Sequence, residues 1–296
     1  MISSESPFDD FFEQVLFNCF GKAHEVDEYH FVSGGAFNQT VEIHTSAGCF
    51  LLKWNEHLPE DMFEAETLGL NLLRSAHLID IPEVFGFGKV AQKSFLLMEW
   101  IQAAMPEKNY WSNLGESIAE LHRQTAHFYG LDFNNYIGTL FQNNEKTTNW
   151  LDFFVHRRLE AQVGLAYYNN LLNFEVLKKF EQLYARLSGW LPAHSASSLL
   201  HGDLWGGNVL VNSIGAPALI DPAVYYGNRE MEIAFTKLFG GFEPKFYEAY
   251  HATFPLDPGF EERTSLYQLY PLLVHLNLFG KSYLNLILKI LNKFLD

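Results

Sequence analysis

The stretch "SLLHGDLWGGNVLV", Ser198 to Val211, begins and ends as a buried strand would, yet its middle carries His201, Asp203 and Asn208. Ionisable and amide groups are costly to bury without partners, so polar groups inside an apolar run mark a site. Asp203 and Asn208 stand in the spacing D-x-x-x-x-N, and Asp221 closes a second apolar run, "ALIDPA", thirteen residues after Asn208. One carboxylate, one amide and a second carboxylate, brought together from hairpin-like strands, suit phosphoryl transfer from a nucleotide. The first carboxylate takes the proton of the acceptor hydroxyl, while the amide oxygen and the second carboxylate hold Mg²⁺ on the phosphates. Magnesium accepts hard oxygen ligands and keeps several waters, so two protein ligands suffice.

A lone D-x-x-x-x-N is common by chance; His201 just ahead of it and the strand-end Asp221 give it weight. His201 is read as a buried structural histidine that bonds the backbone and braces the loop. Trp205 is read as packing, and Gly206 and Gly207 as the residues that let the backbone turn tightly.

Around this stretch the chain changes character once. A helix is expected to start at Ser6-Pro7, with Asp9 and Asp10 in its first turn, and short extended runs follow: "YHFVSGG", "QTVEIHT" and "CFLLKWN". A helix from about Leu58 and two more strands, "EVFGFG" and "SFLLMEWI", complete a strand-rich block over residues 1–101. Residues 102–296 read as mainly helical, with helices near 111–126, 150–170, 174–190, 228–238, 243–253 and 259–292, the last broken around Pro271 and Gly280. The exception is 198–222, read as two short strands around a loop. The fold class is therefore α+β in two blocks joined by a short connection near Trp100–Ala104.

The 296 residues are 48% hydrophobic and carry a net charge of −15. That balance excludes nucleic acid as a partner, because phosphate binding rests on Lys and Arg. No stretch has the length and apolarity of a membrane span, and no basic n-region with a following apolar core marks a secretory signal. Cys19 and Cys49 are expected to be buried free thiols of a cytoplasmic protein.

A kinase reading makes a demand on the first block: a lysine for the phosphates and an acid to hold it. Lys53 sits in the apolar strand "CFLLKWN". In the following helix Met62, Phe63, Gly69, Leu70 and Leu73 share a face with Glu66, which then points inward and needs a cation; Lys53 is the natural partner. Glu64 falls off that face and is read as solvated. The turn "SGGAFNQ", with Ser33, Gly34, Gly35 and Asn38, could cover the phosphates. "LLMEW", with Met98, Glu99 and Trp100, ends the block where an adenine would meet the backbone.

Together these residues resemble the fructosamine kinase (ketosamine 3-kinase) family, within the aminoglycoside- and choline-kinase-like proteins. "VSGGAFNQT", "FLLKWN" and "MFEAETLGLNLL" resemble its nucleotide loop, lysine strand and glutamate helix. "NYIGTLFQNN" with "WLDFFVHRRLEAQ" resembles its middle segment, while "LLHGDLWGGNVLV" and "IDPAVYYGNREMEIAFTKLFGGF" resemble its catalytic and metal-binding segments. The resemblance implies a protein-kinase-like two-lobe fold, an antiparallel-sheet nucleotide lobe with one main helix before a helical catalytic and substrate lobe. It implies transfer of the ATP γ-phosphate, with Mg²⁺, to the 3-hydroxyl of a ketosamine, and so deglycation of amines or protein lysines. Carried over by position, Asp203 is the base, Asn208 and Asp221 the metal ligands, Lys53 the phosphate contact and Glu66 its ion-pair partner. Gly202 stands where many protein kinases carry a phosphate-sensing arginine, which implies a constitutively competent enzyme. One departure is "REMEIA", where the family pattern reads closer to R-E-x-D-L-A; Glu232 replaces an aspartate and is expected to brace the catalytic loop. Arg229 and Glu230 are read as structural. A kinase for another hydroxylated amine, such as an aminoglycoside or amino alcohol, would keep the same five residues, and the middle segment favours ketosamines over it. Intact Lys53, Asp203, Asn208 and Asp221 count against a non-catalytic pseudokinase. A monomer is favoured.

Overall fold

The computed structural model describes residues 8–33, 37–193 and 195–296. The expected helix start at Ser6-Pro7 lies outside them. Helix α1 (Asp9–Phe20) carries Asp9 and Asp10 at its positive end, which favours acids, and stops at Gly21, whose φ of 70° only glycine adopts freely. Its buried stripe of Phe11, Phe12, Val15 and Leu16 lies against Val41, Ile43, Phe50, Leu52, Trp54, Phe95 and Leu97.

Those partners come from one face of an antiparallel sheet ordered β1-β2-β3-β5-β4. The strands are β1 (Val26–Phe31), β2 (Gln39–Thr45), β3 (Gly48–Asn55), β4 (Val84–Val90) and β5 (Lys93–Glu99), with helix α2 (Met62–Ser75) between β3 and β4. Because side chains alternate across a strand, the register that pairs Leu52 with Leu97 for α1 turns Lys53 and Leu96 to the opposite face. That is the α2 side. Cys49 also falls on that face but is exposed, and Cys19 is half-buried. Both are free thiols, so the expectation of two buried ones is corrected: Cys49 sits near the β2–β3 turn, where the sheet face is uncovered.

The described residues up to Pro106, together with Leu210–Ile220, form one compact unit; Glu107–Val209 and Asp221–Asp296 form the other. The inserted hairpin, β10 (Val209–Val211) and β11 (Pro217–Leu219), is fixed within the first unit at Asp80: Leu219 N–H donates to its carbonyl at 2.9 Å, and Asn212 Nδ2 donates to its carboxylate at 2.9 Å.

The second unit begins with α3 (Tyr110–His122) and β6 (Thr125–Ala126), then a hairpin of β7 (Asn135–Ile137) and β8 (Leu140–Gln142). A continuous helical stretch follows, α4 (Trp150–Asp152), a π-helical segment over Phe153–Leu159 and α5 (Glu160–Tyr168). Next come α6 (Phe174–Arg186), β9 (Ser197–Leu200), β12 (Tyr225–Asn228), α7 (Arg229–Thr236), α8 (Pro244–Thr253), α9 (Phe260–Phe279) and α10 (Leu284–Leu295). Two expectations change here. Helix α9 runs straight through Pro271 and breaks only at Gly280; α9 is buried along most of its length, and that packing outweighs the intrahelical bond proline forfeits. The ends of the opening stretch do not pair with each other either: β9 lies between β12 and β6, whereas β10 pairs with β11. No helix of the described residues is long and apolar enough to cross a membrane.

Candidate active site

In the first unit, Lys53 Nζ lies 2.9 Å from Glu66 Oε1, with the lysine side chain 7% and the glutamate 14% exposed. Strand β3 supplies the cation and the inward face of α2 the carboxylate, while Glu64 is exposed. Ser33 is exposed, and Asn38 is half-buried with an Oδ1 that has no hydrogen-bond partner among the described residues; Gly34 and Gly35 lie outside the described residues. Met98 is buried in β5 opposite Leu51. The Glu99 N–H donates to Glu83 carbonyl at 2.7 Å, and its carboxylate accepts from Glu83 N–H at 3.1 Å. That N–H is therefore committed. Trp100 follows the strand, half-buried.

In the second unit the geometry centres on Asp203. Asn208 Nδ2 donates to the Asp203 carbonyl at 2.8 Å and to its Oδ2 at 2.9 Å. The amide nitrogen is thus occupied, and the oxygen is the atom Asn208 presents elsewhere. Burial pushes the Asp203 carboxyl up to about 7; the Asn208 bond opposes this, and the neighbouring charges of Asp221 and Glu232 add to it. The Asp221 charge thus acts on Asp203 in the same direction as burial. Asp221 is exposed and holds a φ of 55°, the left-handed region that a non-glycine residue seldom adopts.

The loop is held from behind. Glu232, on α7, accepts from His201 N–H at 3.1 Å, Gly202 N–H at 2.6 Å and His122 Nε2 at 2.8 Å. Burial pushes its carboxyl up, but the bond and charge of His122, the charge of His201 and the Gly202 amide outweigh burial and hold it below the ordinary range. It remains an anion at neutral pH. This is the brace expected of the residue that departs from the family aspartate. His201 is fully buried and accepts from Asp203 N–H at 3.3 Å. Arg229 and Glu230 are structural: Arg229 donates to the Phe254 carbonyl at 2.7 Å and Glu230 pairs with Arg263 at 2.6 Å.

The glycine assignment is corrected. A Cβ at Gly206 would meet only the Gly241 and Gly240 backbone at ordinary contact distance, and Gly207 is needed only because the exposed Trp205 ring lies over it. The turn itself depends on Gly202, with φ 84° and room for a Cβ only 2.0 Å from the Ala223 carbonyl oxygen.

One group was missed from sequence. Arg158, in the π-helical segment, is completely buried and among the described residues has no carboxylate as a hydrogen-bond partner. It donates to the Asn143 carbonyl at 2.7 Å and Asn144 Oδ1 at 2.6 Å, and it lies over the Tyr225 ring at 4.1 Å. Asn144 Nδ2 and Gln142 Nε2 both donate to Asn135 Oδ1. From there Gln142 Nε2 and Asn135 Nδ2 donate to the carbonyls of Ala223 and Val224, just after Asp221. No local signal in the sequence marks it: Arg158 stands beside Arg157 as a surface arginine would, and the π-helical turn carries it inward. Arg158→Met strands two buried acceptors and is expected to lower unfolding free energy by about 2–4 kcal/mol, read from urea unfolding, with kcat falling in step.

The donor set fits a magnesium nucleotide. Asn208 offers a carboxamide oxygen and Asp203 and Asp221 offer carboxylates, all hard ligands.

Comparison with known proteins agrees with these features. The fructosamine kinase family model matches residues 10–296. A probable ketoamine kinase of Enterococcus faecium is 42% identical over 253 residues, covering 85% of this chain and 90% of that one. The chloroplastic protein-ribulosamine 3-kinase of Oryza sativa subsp. indica is 33% identical, over 93% of this chain and 81% of its own. Among solved structures, a candidate fructosamine-3-kinase of Haemophilus somnus superposes with TM-score 0.86 at 32% identity, covering 96% of this chain and 97% of that one. An aminoglycoside phosphotransferase, APH(4)-Ia, shares the fold at TM-score 0.63 and 18% identity; it is a distant fold relative. On the family match over nearly its whole length, with relatives above 30% identity, this chain belongs to the fructosamine kinase family.

Proposed function

We propose that the protein transfers the γ-phosphoryl group of ATP to the 3-hydroxyl of a ketosamine, a sugar adduct on a lysine or other amine, and so takes part in deglycation. The observation that carries this is the Asp203 carboxylate, held against Asn208 beside Asp221 on a loop that Glu232 fixes through two backbone amides. Lys53, oriented by Glu66, is the cation for the nucleotide phosphates, Ser33 and Asn38 are further contacts to them, and Met98, Glu99 and Trp100 meet the base. Asp203 accepts the hydroxyl proton as the acceptor oxygen bonds to phosphorus and the bond to the β-phosphate oxygen breaks, releasing ADP. A carboxyl raised to about 7 suits that task, since a base works best with a pKa near the operating pH. Bound through Asn208 and Asp221, Mg²⁺ would neutralise phosphate charge.

Two free thiols fit a reducing, cytoplasmic setting, and the chain is taken to act as a monomer. The test is ATP consumption with a panel of lysine ketosamines, aminoglycosides and choline. Turnover on a ketosamine is expected, and Lys53→Met should raise the KM for ATP at least tenfold. Turnover confined to an aminoglycoside or choline would sink the deglycation role while leaving the chemistry in place. The second reading, an aminoglycoside kinase, rests on the shared fold alone.

A further inference from the structure

The Lys53 face of the sheet carries a second cluster of reactive groups near the β2–β3 turn. Cys49 and His44 are direct cross-strand partners, as are His30 and Glu42. Cys49 Sγ lies 3.1 Å from His44 Nδ1, and His44 Nε2 lies 2.9 Å from Glu42 Oε1. The imidazole is thus gripped on both nitrogens, by a thiol on one side and a carboxylate on the other. The His30 ring stands edge-on to it at 5.8 Å and contacts Glu28 at 3.2 Å. Along this strip the side chains at 28, 30, 42, 44 and 49 are two glutamates, two histidines and a cysteine. These five positions present metal-ligating types and no cation.

We propose that Cys49 and His44 form a binding site for a thiophilic divalent cation of the Zn²⁺ class, with Glu42 as the carboxylate that holds the ligating imidazole. Three features carry it. First, the thiol faces Nδ1 and the carboxylate faces Nε2. A carboxylate on the nitrogen that does not bind metal is how ligating histidines are oriented and made more basic. Second, the separation is close to what an ion needs. Tetrahedral zinc with bonds of about 2.3 Å to sulfur and 2.0–2.1 Å to nitrogen holds those atoms about 3.6 Å apart, so roughly half an ångström of side-chain adjustment admits it. Third, both ligands sit on neighbouring, hydrogen-bonded strands, a rigid setting that keeps a weak two-residue site in register. Among the described residues no other three such groups come this close together. Water, or the His30 imidazole after a side-chain rotation, completes the shell. Binding releases the thiol proton to solvent.

This ion is separate from the one proposed for catalysis. Cys49 and Lys53 are four residues apart on one strand, about 13 Å at 3.3 Å per residue, and thiolate with imidazole is a soft donor set that magnesium avoids.

The test uses the reduced, chelator-treated protein titrated with Co²⁺, whose bond to sulfur gives a near-ultraviolet charge-transfer band. One Co²⁺ per chain is expected, displaced by Zn²⁺. Cys49→Ser should abolish the band, His44→Gln should weaken binding more than tenfold, and Glu42→Gln should weaken it by about 10- to 100-fold. Cys19→Ser should leave it intact, and ATP turnover by Cys49→Ser should match the parent and so certify its fold. No band, or a band that survives Cys49→Ser, overturns the site. A band lost in Cys19→Ser does so equally, as does one indifferent to His44→Gln; that last result would leave Cys49 a simple reactive thiol.

Discussion

Asp203→Asn should lower kcat by about 10²- to 10⁴-fold, the usual worth of a positioned general base, and yet give a more heat-stable protein. The amide keeps an oxygen to accept from Asn208 Nδ2 and has no charge to bury. The sign follows from the carboxyl's pKa of about 7 in the folded protein against about 3.9 when unfolded. Between those values the folded protein binds the extra proton, so its stability falls as pH rises through that window. Below about pH 4 both states are protonated and the native aspartate costs nothing. Above about pH 7 its full penalty applies, on the order of a few kcal/mol. In metal-free buffer the melting temperature of Asp203→Asn should therefore exceed the parent's by several degrees at pH 8, and the gap should close by pH 4. Activity within tenfold of the parent would remove Asp203 from the role of base. A lower melting temperature at pH 8 would show that the carboxylate is better solvated than its burial implies.

Glu232→Gln should cost both stability and turnover. The carboxylate accepts from three donors through two oxygens: Oε2 serves His122 and the His201 N–H, and Oε1 serves the Gly202 N–H. A carboxamide has one accepting oxygen, and its NH₂ must face a donor whichever way it lies. It also removes the anion around which His122 is buried. Breaking a buried pair from one side costs about 3–5 kcal/mol. A fall of that size in urea unfolding, with kcat down by more than tenfold at saturating ATP, is the expected result. Glu232→Asp, which restores the residue of the family pattern, keeps the charge but retracts it by one methylene; it should retain more of both. A Gln variant as stable as the parent would mean that the loop is held by Ala223 N–H on the His201 carbonyl at 2.9 Å, with Glu232 incidental.

Much of the site was legible because its parts are local. Asp203 and Asn208 are five residues apart on one loop, and Glu66 declares its direction through the helical stripe around it. What stayed hidden depends on contacts between residues far apart in sequence. Nothing near Ser197–Leu200 says that this strand pairs with Tyr225–Asn228 and Thr125–Ala126. Pro271 argues locally against a helix that its burial sustains. Arg158 looks like a surface arginine beside Arg157, and only the π-helical turn carries it inward. One element was there to be found: Gly138, with φ 57°, sits in the two-residue turn between β7 and β8, the type of turn that favours glycine.

The insertion of Leu210–Ile220 into the first unit bears on how the protein is made. Asp80 emerges early from the ribosome, but its partner Asn212 follows 132 residues later. At about 5–20 residues per second that is a wait of roughly 7–26 s. During it the first unit is a nascent domain without its closing hairpin, and it cannot reach its final contacts by folding strictly from the N-terminus. Strands β1, β2 and β3 pair as sequence neighbours, and β5 joins β3 once α2 and β4 have been made. The Asp80 contacts with Asn212 and Leu219 wait until the inserted hairpin has been made, so completion of the first unit is a late step in biosynthesis.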